Sequence, residues 1–395
     1  MTVPSMPEPA PLTAESARAL ADAIKEEAVR LGFARAGIAP ADPLGGEESG
    51  FFDRWLARQY HGEMGYLARD PAARKDARTL LPGAKSVVAV AMLYETTPPS
   101  EPEPDGDDPR GRVSNYAWGE DYHDVLKEKL GKLLAYVTAR RPGTRGKACV
   151  DSSPVLDRAY AHRAGIGFWG KNTMILAEDL GSYFFLGELL LDVALPFDSP
   201  VPDRCGTCRR CLDACPTGAF AGPFDLDARR CLSYLTIELR GPFPDDAARE
   251  SVRDWLFGCD VCQAVCPWNR GAPLGADPAF AAKEGRARPS LPALLAMRSD
   301  AEWKAAFGGG PMSRAKRRGL LRNAAAILGS TRDARGVPAL AGALGDADPV
   351  IREEAAHALG RIGGSAAAAA LGARAAIETD AKVAAAISRA RESLS

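Results

Sequence analysis

The chain lacks an excess of charge of either sign. Its 50 Lys and Arg nearly balance 51 Asp and Glu, for a formal net charge of -1, which excludes a uniformly basic nucleic-acid coat and sends any anionic partner to a local patch. It also lacks long hydrophobic runs, since no stretch reaches the roughly 18 apolar residues of a membrane span. The first 30 residues carry neither the basic, apolar, small-residue order of a secretory signal nor a twin arginine. A reduced, cytoplasmic setting with no membrane partner is therefore expected. What remains is ordinary globular composition, 46% hydrophobic over 395 residues, enough for two or three domains.

One further absence is local. The run Cys205-Gly-Thr-Cys208-Arg-Arg-Cys211-Leu-Asp-Ala-Cys215-Pro216 has the spacing of a bacterial-type ferredoxin iron-sulfur site, and a second copy, Cys259-Asp-Val-Cys262-Gln-Ala-Val-Cys266-Pro267, lacks its first cysteine, with Leu256 in that position. In two-cluster ferredoxins the fourth cysteine of each motif crosses to the other cluster. That assigns Cys205, Cys208, Cys211 and Cys266 to one 4Fe-4S cluster. The second takes Cys215, Cys259 and Cys262, and its missing ligand is most economically Cys231, the only cysteine between the motifs. Cys149, in the apolar stretch KACVD, is left as a small buried hydrophobe. A zinc site or a disulfide framework would also use paired cysteines. Zinc needs no four-cysteine run ending in Cys-Pro, and a chain of this length can bury a core without disulfides.

Along the chain, residues 1 to about 12 are rich in Pro and Ala and read as loose, and 13–31 show helical apolar spacing through Leu20, Ile24 and Leu31. SVVAVAMLY at 86–94 reads as a buried strand, and the acidic, proline-rich ETTPPSEPEPDGDDPRG after it as an exposed loop. An amphipathic helix is predicted over 121–139. A strand at 147–151 leads into Ser152-Ser153-Pro154, where Ser153 as N-cap and Pro154 as first helical residue predict a helix to about Ala164. Asp151 then sits where a strand ends and a loop meets a helix, a usual place for chemistry, though also for a capping carboxylate. GIGFWGKN at 165–172 is either a cofactor-lining turn or a tight surface turn, and SYFFLGELLLDVAL at 182–195 is a long apolar strand or strand pair.

The C-terminal region repeats itself. LLRNAAAILG at 320–329 recurs as IREEAAHALG at 351–360, a shift of 31 residues that predicts stacked HEAT-like helix pairs. Arg314, Lys316, Arg317, Arg318 and Arg322 put five cations into ten residues at the start of this array, either a phosphate-backbone contact or a solvated helix end.

These segments together resemble the cobalamin-dependent epoxyqueuosine reductases of tRNA modification. The resemblance runs through HGEMGYL at 61–67, LLPGAKSVVAVAMLY at 80–94, DYHDVL at 121–126, VDSSPVLDRAYAHRAGIGFWGKN at 150–172, both cysteine motifs, RRCLSYLTIE at 229–238 and GCDVCQAVCPWN at 258–269. It implies a multidomain α+β fold: an α/β corrinoid-binding domain over 13–200, a ferredoxin-like domain with two 4Fe-4S clusters over 201–275, and a HEAT-like domain over 290–395. The implied reaction reduces epoxyqueuosine at the wobble position of tRNA to queuosine, on cobalamin fed by the clusters from a separate electron donor. By the same resemblance Asp151 is the proton donor, which near neutral pH asks for a raised pKa, and Arg74, Ser114, Asp151, Asn172 and Ser233 contact the corrinoid, with Tyr116, His123 and Lys171 nearby. His123, at a helix start, reads equally well as a capping or core residue. The Asp-x-His-x-x-Gly box of proteins that ligate cobalt through histidine is missing, so no protein imidazole is expected on the metal. A monomer is expected. The alternatives are a reductive dehalogenase-like corrinoid enzyme acting on a small molecule and an electron-carrier module without chemistry of its own.

Overall fold

The computed structural model describes residues 12–97 and 108–394. The loose N-terminal stretch and most of the acidic loop expected after residue 94 lie outside the described residues. Helix α1 (Ala14–Arg30) starts at Thr13, whose hydroxyl accepts the Ser16 N–H at 3.2 Å, and buries Leu20, Ile24 and Ala28. A four-stranded sheet follows, made of β1 (Arg35–Pro40), β2 (Ser86–Leu93), β3 (Gly146–Cys149) and β4 (Phe184–Leu191), in the order β1-β2-β4-β3, with helix α2 (Gly46–Ala57) between β1 and β2 in the chain. Every neighbouring pair is antiparallel. Because successive residues of a strand face opposite sides, Val88, Val90 and Leu189 meet α1 and α3 (Tyr122–Arg140), which contributes Leu126, Leu130 and Leu133. Val87, Ala89 and Leu190 meet α4 (Asp157–Arg163) through Ala159, Tyr160 and Ala161. Burial on both faces explains why β2 and β4 read as apolar runs, the second interrupted by Gly187 and Glu188.

The expected helix start at Ser153-Pro154 is corrected here. Ser153 N–H donates to Val150 O at 2.7 Å and Val155 N–H to Ser153 O at 2.8 Å, so residues 151–155 form a turn and α4 begins only at Asp157. Asp151 is thereby carried on a loop between β3 and α4.

The cysteine-rich segment is built of short helices, Arg210–Ala214, α5 (Leu232–Ile237) and Val261–Ala264. Leu256, where the second motif lacks a cysteine, lies in the short strand Trp255–Phe257 and is fully buried in the core shared with the C-terminal helices. That strand pairs in parallel with Arg112–Val113, which joins the segment to the first unit.

The repeat forms stacked helices: α6 (Lys316–Thr331), α7 (Val337–Ala343), α8 (Pro349–Ile362), α9 (Ser365–Ala375) and α10 (Ala381–Glu392). The equivalent pairs Leu320/Ile351, Ala324/Ala355 and Leu328/Leu359 are all fully buried. Gly329 and Gly360 recur for a steric reason: a Cβ on Gly329 would stand 2.8 Å from Ala358 Cα, and one on Gly360 2.8 Å from Ala390 Cα. Only glycine lets each helix approach the next so closely.

The basic cluster at the entrance to the array is corrected too. Arg322 is fully buried and donates to the carbonyls of Leu235, Leu239 and Gly241 at 2.6–2.8 Å, capping the C-terminal end of α5. Arg317 is buried against Asp346 and the Met297 carbonyl. Two of the five cations are therefore spent inside the protein, Arg317 within the helical array and Arg322 between the array and the cysteine-rich segment, and cannot reach a phosphate. Arg314 is exposed but paired with Glu238, and Arg318 with Asp348.

Candidate active site

A cleft of about 400 Å³ opens between the sheet and the cysteine-rich segment. Its lining brings Tyr122, Asp151 and Asn172 together with Cys215, Cys231, Cys259 and Cys262. Ser114 and Ser233 also line it, so four of the five residues expected at a corrinoid (Ser114, Asp151, Asn172 and Ser233) come together. Arg74 does not line it. Its guanidinium donates to Tyr66 O at 3.0 Å, and its charge is felt at Asp157.

Asp151 is held from both sides. His123 Nε2 lies 2.7 Å from its Oδ1, and the Tyr122 hydroxyl donates a short bond to its Oδ2. The other ring nitrogen of His123, Nδ1, lies 2.6 Å from Asp121 Oδ1, and the same Asp121 carboxylate accepts the His123 N–H at 3.0 Å as the N-cap of α3. Tyr122 is stacked between the His123 ring, at 4.1 Å, and Phe185, at 4.3 Å. Burial works to lower the His123 pKa, but the bonds from Asp121 and Asp151 outweigh it and raise the value to about 9. Burial works to raise Asp151, but the bond and charge of His123, with the Tyr122 hydroxyl, outweigh it and hold the carboxyl below its ordinary range. The raised pKa expected for Asp151 is thus corrected. Burial has the expected sign, and the imidazolium beside it reverses the result.

Asn172 is buried. Its Oδ1 accepts the Met174 N–H at 3.3 Å, while its Nδ2 has no hydrogen-bond partner, leaving a buried donor at the cleft wall. Gly170 is required beside it, since a Cβ there would stand 2.5 Å from Asn172 Oδ1. Ser114 is buried and bonded to Asp260, whose other oxygen takes the Asn115 N–H at 2.8 Å. Lys171 points away from the cleft and ties Gly206 O and Cys208 O to the first unit. Tyr116 packs against Tyr122 and Phe257.

The cysteines fall into two neighbourhoods. Burial raises the thiols of Cys205, Cys211 and Cys266, and each also feels charge within a group that includes Cys208. Burial likewise raises Cys231, Cys259 and Cys262, which feel one another or Cys215, with Cys262 also feeling Cys211 of the first group. The second neighbourhood is the one at the cleft. Cys149 is buried in β3, away from both.

Sequence reasoning undervalued His123 and missed Tyr122, Asp157 and Glu188. The Asp121-x-His123 spacing was a visible capping signal, but nothing local said that the ring's far nitrogen would meet the loop after β3. Glu188 was visible as a lone carboxylate within FFLGELLL.

The chain matches three family descriptions: epoxyqueuosine reductase QueG, DUF1730, over residues 74–152; 4Fe-4S double cluster binding domain over 204–269; and HEAT repeats over 314–391. It is 40% identical over 306 residues to an epoxyqueuosine reductase of Cellulophaga algicola, an overlap of 76% of this chain and 96% of the relative. A crystal structure of epoxyqueuosine reductase with a tRNA-Tyr epoxyqueuosine-modified tRNA stem loop is 36% identical, with a TM-score of 0.88 over 95% of this chain and 99% of that one. The same figures hold for a Bacillus subtilis epoxyqueuosine reductase whose aspartate catalytic loop is swung out of the active site. Among the described residues no helix is long and apolar enough to cross a membrane.

Proposed function

The chain belongs to the epoxyqueuosine reductase family, and we propose that it reduces epoxyqueuosine in tRNA to queuosine in a cleft that holds cobalamin beside one of two 4Fe-4S clusters. The observation that carries this reading is one cleft lined both by four cysteines and by Asp151, the end of the Asp121–His123–Asp151 chain. Electrons and protons can meet between them. Removing the epoxide oxygen as water, with formation of the ring double bond, consumes two electrons and two protons.

The residues present fit a corrinoid. Its rim of carboxamides offers carbonyls to the unpartnered Asn172 Nδ2, and Ser114, Ser233 and Asp151 stand on the same cleft, while Arg74 lies off it and acts on Asp157. When bound, a reduced corrinoid supplies a strongly reducing, nucleophilic metal centre that no side chain offers. Cys205, Cys208, Cys211 and Cys266 would hold one cluster, and Cys215, Cys231, Cys259 and Cys262 the other, for one-electron relay from a separate donor. Both nitrogens of His123 are engaged by carboxylates, which reserves its ring for proton chemistry.

Asp151 is the proton donor in this reading, but not as a neutral acid at rest. Its carboxylate shares the proton carried by His123, and as charge develops on the epoxide oxygen that proton passes through Asp151. Asp121 keeps the imidazole oriented, and Tyr122 fixes the carboxylate plane. The setting proposed is a reducing cytoplasm, with the chain acting as a monomer.

The test is anaerobic incubation of cluster-reconstituted protein, cobalamin and a strong reductant with tRNA carrying epoxyqueuosine, followed by nucleoside mass spectrometry. Loss of one oxygen that depends on added cobalamin is expected. An unchanged nucleoside, with clusters and corrinoid verified in place, overturns the reading.

A further inference from the structure

We propose that Glu188, fully buried in β4, and Asp157, half-buried at the cleft, form a carboxyl pair that stores a second transferable proton behind Asp151 and returns it to the cleft during turnover. The inference rests on the reading of the cleft as an epoxide-reducing site and deepens it.

Glu188 is fully buried in the middle of β4, in register with Ala89 on one side and Cys149 on the other. Neither of its carboxyl oxygens has a hydrogen-bond partner. Every second residue of β4, Phe184, Leu186, Glu188 and Leu190, faces the side covered by α4, and α4 begins at Asp157. Asp157 lines the cleft, and its Oδ1 is buried without a partner. A carboxyl in an otherwise apolar strand costs stability that a leucine would not, unless it stays protonated. Packing alone does not account for it.

The charged groups around the pair come from every element packed on it. Asp151 faces it from the loop after β3, Arg158 from α4, Arg74 from the short helix Pro71–Arg74, and the Cys149 thiol, with Lys147, from β3. Burial and then the charge of Asp151 push Asp157 up to about 7, against the pull of Arg158 and Arg74. Burial first, then Asp157 and Asp151, raise Glu188 well above the carboxylate range. Three coupled carboxyls cannot all ionise in such surroundings. His123 makes Asp151 the ionised one, so protonation falls on the other two, firmly on Glu188 and, as pH falls through about 7, on Asp157.

The stoichiometry gives this store a use. The first proton, from His123 through Asp151, accompanies opening of one C–O bond and leaves a hydroxyl. The second lets that hydroxyl depart as water as the double bond forms, with both electrons supplied through the clusters. Asp157 restores the proton to Asp151 for that step, and the resulting single negative charge is shared with Glu188 and offset by Arg158. Asp157 and Glu188 act through Asp151, as relay residues.

The near-isosteric variants Asp157→Asn and Glu188→Gln test this, with iron content confirming that each has folded. In the chain without cobalamin or tRNA, infrared spectroscopy at neutral pH is expected to show protonated carboxyl absorption that shifts in D2O and is lost in part in Glu188→Gln. With tRNA, Asp157→Asn is expected to lower kcat by about 10²-fold with KM nearly unchanged, and to remove the basic limb of the pH profile. Absence of the carboxyl absorption, or wild-type pH profiles in both variants, overturns the relay alone. Failure of the wild-type chain to reduce the tRNA overturns the reading of the site and the relay with it.

Discussion

Replacing Asp151 with Asn should change the charge of a residue other than the one replaced. His123 is held at about 9, from an ordinary 6.5, by two carboxylates working against burial. At ~1.4 kcal/mol per pH unit that preference for imidazolium amounts to about 3 kcal/mol. Asp151 is one of two partners, and its side chain is 45% exposed against 30% for His123. Solvent screening reduces its share to about 1 kcal/mol. Asp151→Asn should therefore lower the His123 value by about one pH unit, with Asp121 still holding the ring. The assay is a proton-carbon NMR titration of the four histidines, with His123 assigned from His123→Gln. His357, which burial depresses to about 4, lies far from that window. The sign for stability follows from the raised folded-state value. The stabilisation is complete below about 6.5 and is lost as pH rises through about 9, so the wild type should lose its advantage over Asp151→Asn across that interval. A wild-type His123 titrating near 6.5, or one unmoved by Asp151→Asn, would refute the reasoning.

Arg317→Glu should act on folding, because it places a carboxylate against the buried Asp346; a loss of about 3–5 kcal/mol is expected in urea unfolding, and wild-type stability would contradict the assigned pair. Cys231→Ala should lower the iron of the reconstituted protein from about eight to about four per chain, whereas Cys149→Ala should leave it unchanged, as iron and labile sulfide analysis can show. Gly170→Ala should displace Asn172 and weaken cobalamin binding about tenfold or more in equilibrium dialysis; unaltered affinity would remove Asn172 from the cofactor's contacts.

Much of the architecture was legible because it is written in local periodicities. The apolar runs of β2 and β4, the amphipathic face of α3 and the 31-residue repeat each state their structure in neighbouring residues. The start of α4 was not legible. Serine followed by proline suits a helix entrance and a turn equally, and hydrogen bonds back to Val150 chose the turn. The basic stretch misled for a related reason. A count of cations says nothing about whether a carboxylate 29 residues away, Asp346, or the end of α5 will claim them.

The chemistry divides along the same line. Cysteine spacing alone determined that electron transfer must be explained, because three ligands of a cluster lie a few positions apart, whereas the grouping expected for Cys231 rested on its being the only cysteine between the motifs. Which group borders the cleft was decided only when the second motif folded against the sheet. Sequence likewise brought Asp151 to attention. Its charge state was decided by His123, 28 positions earlier, because burial and a facing imidazolium shift a carboxyl in opposite directions and only their distances in the fold determine which prevails.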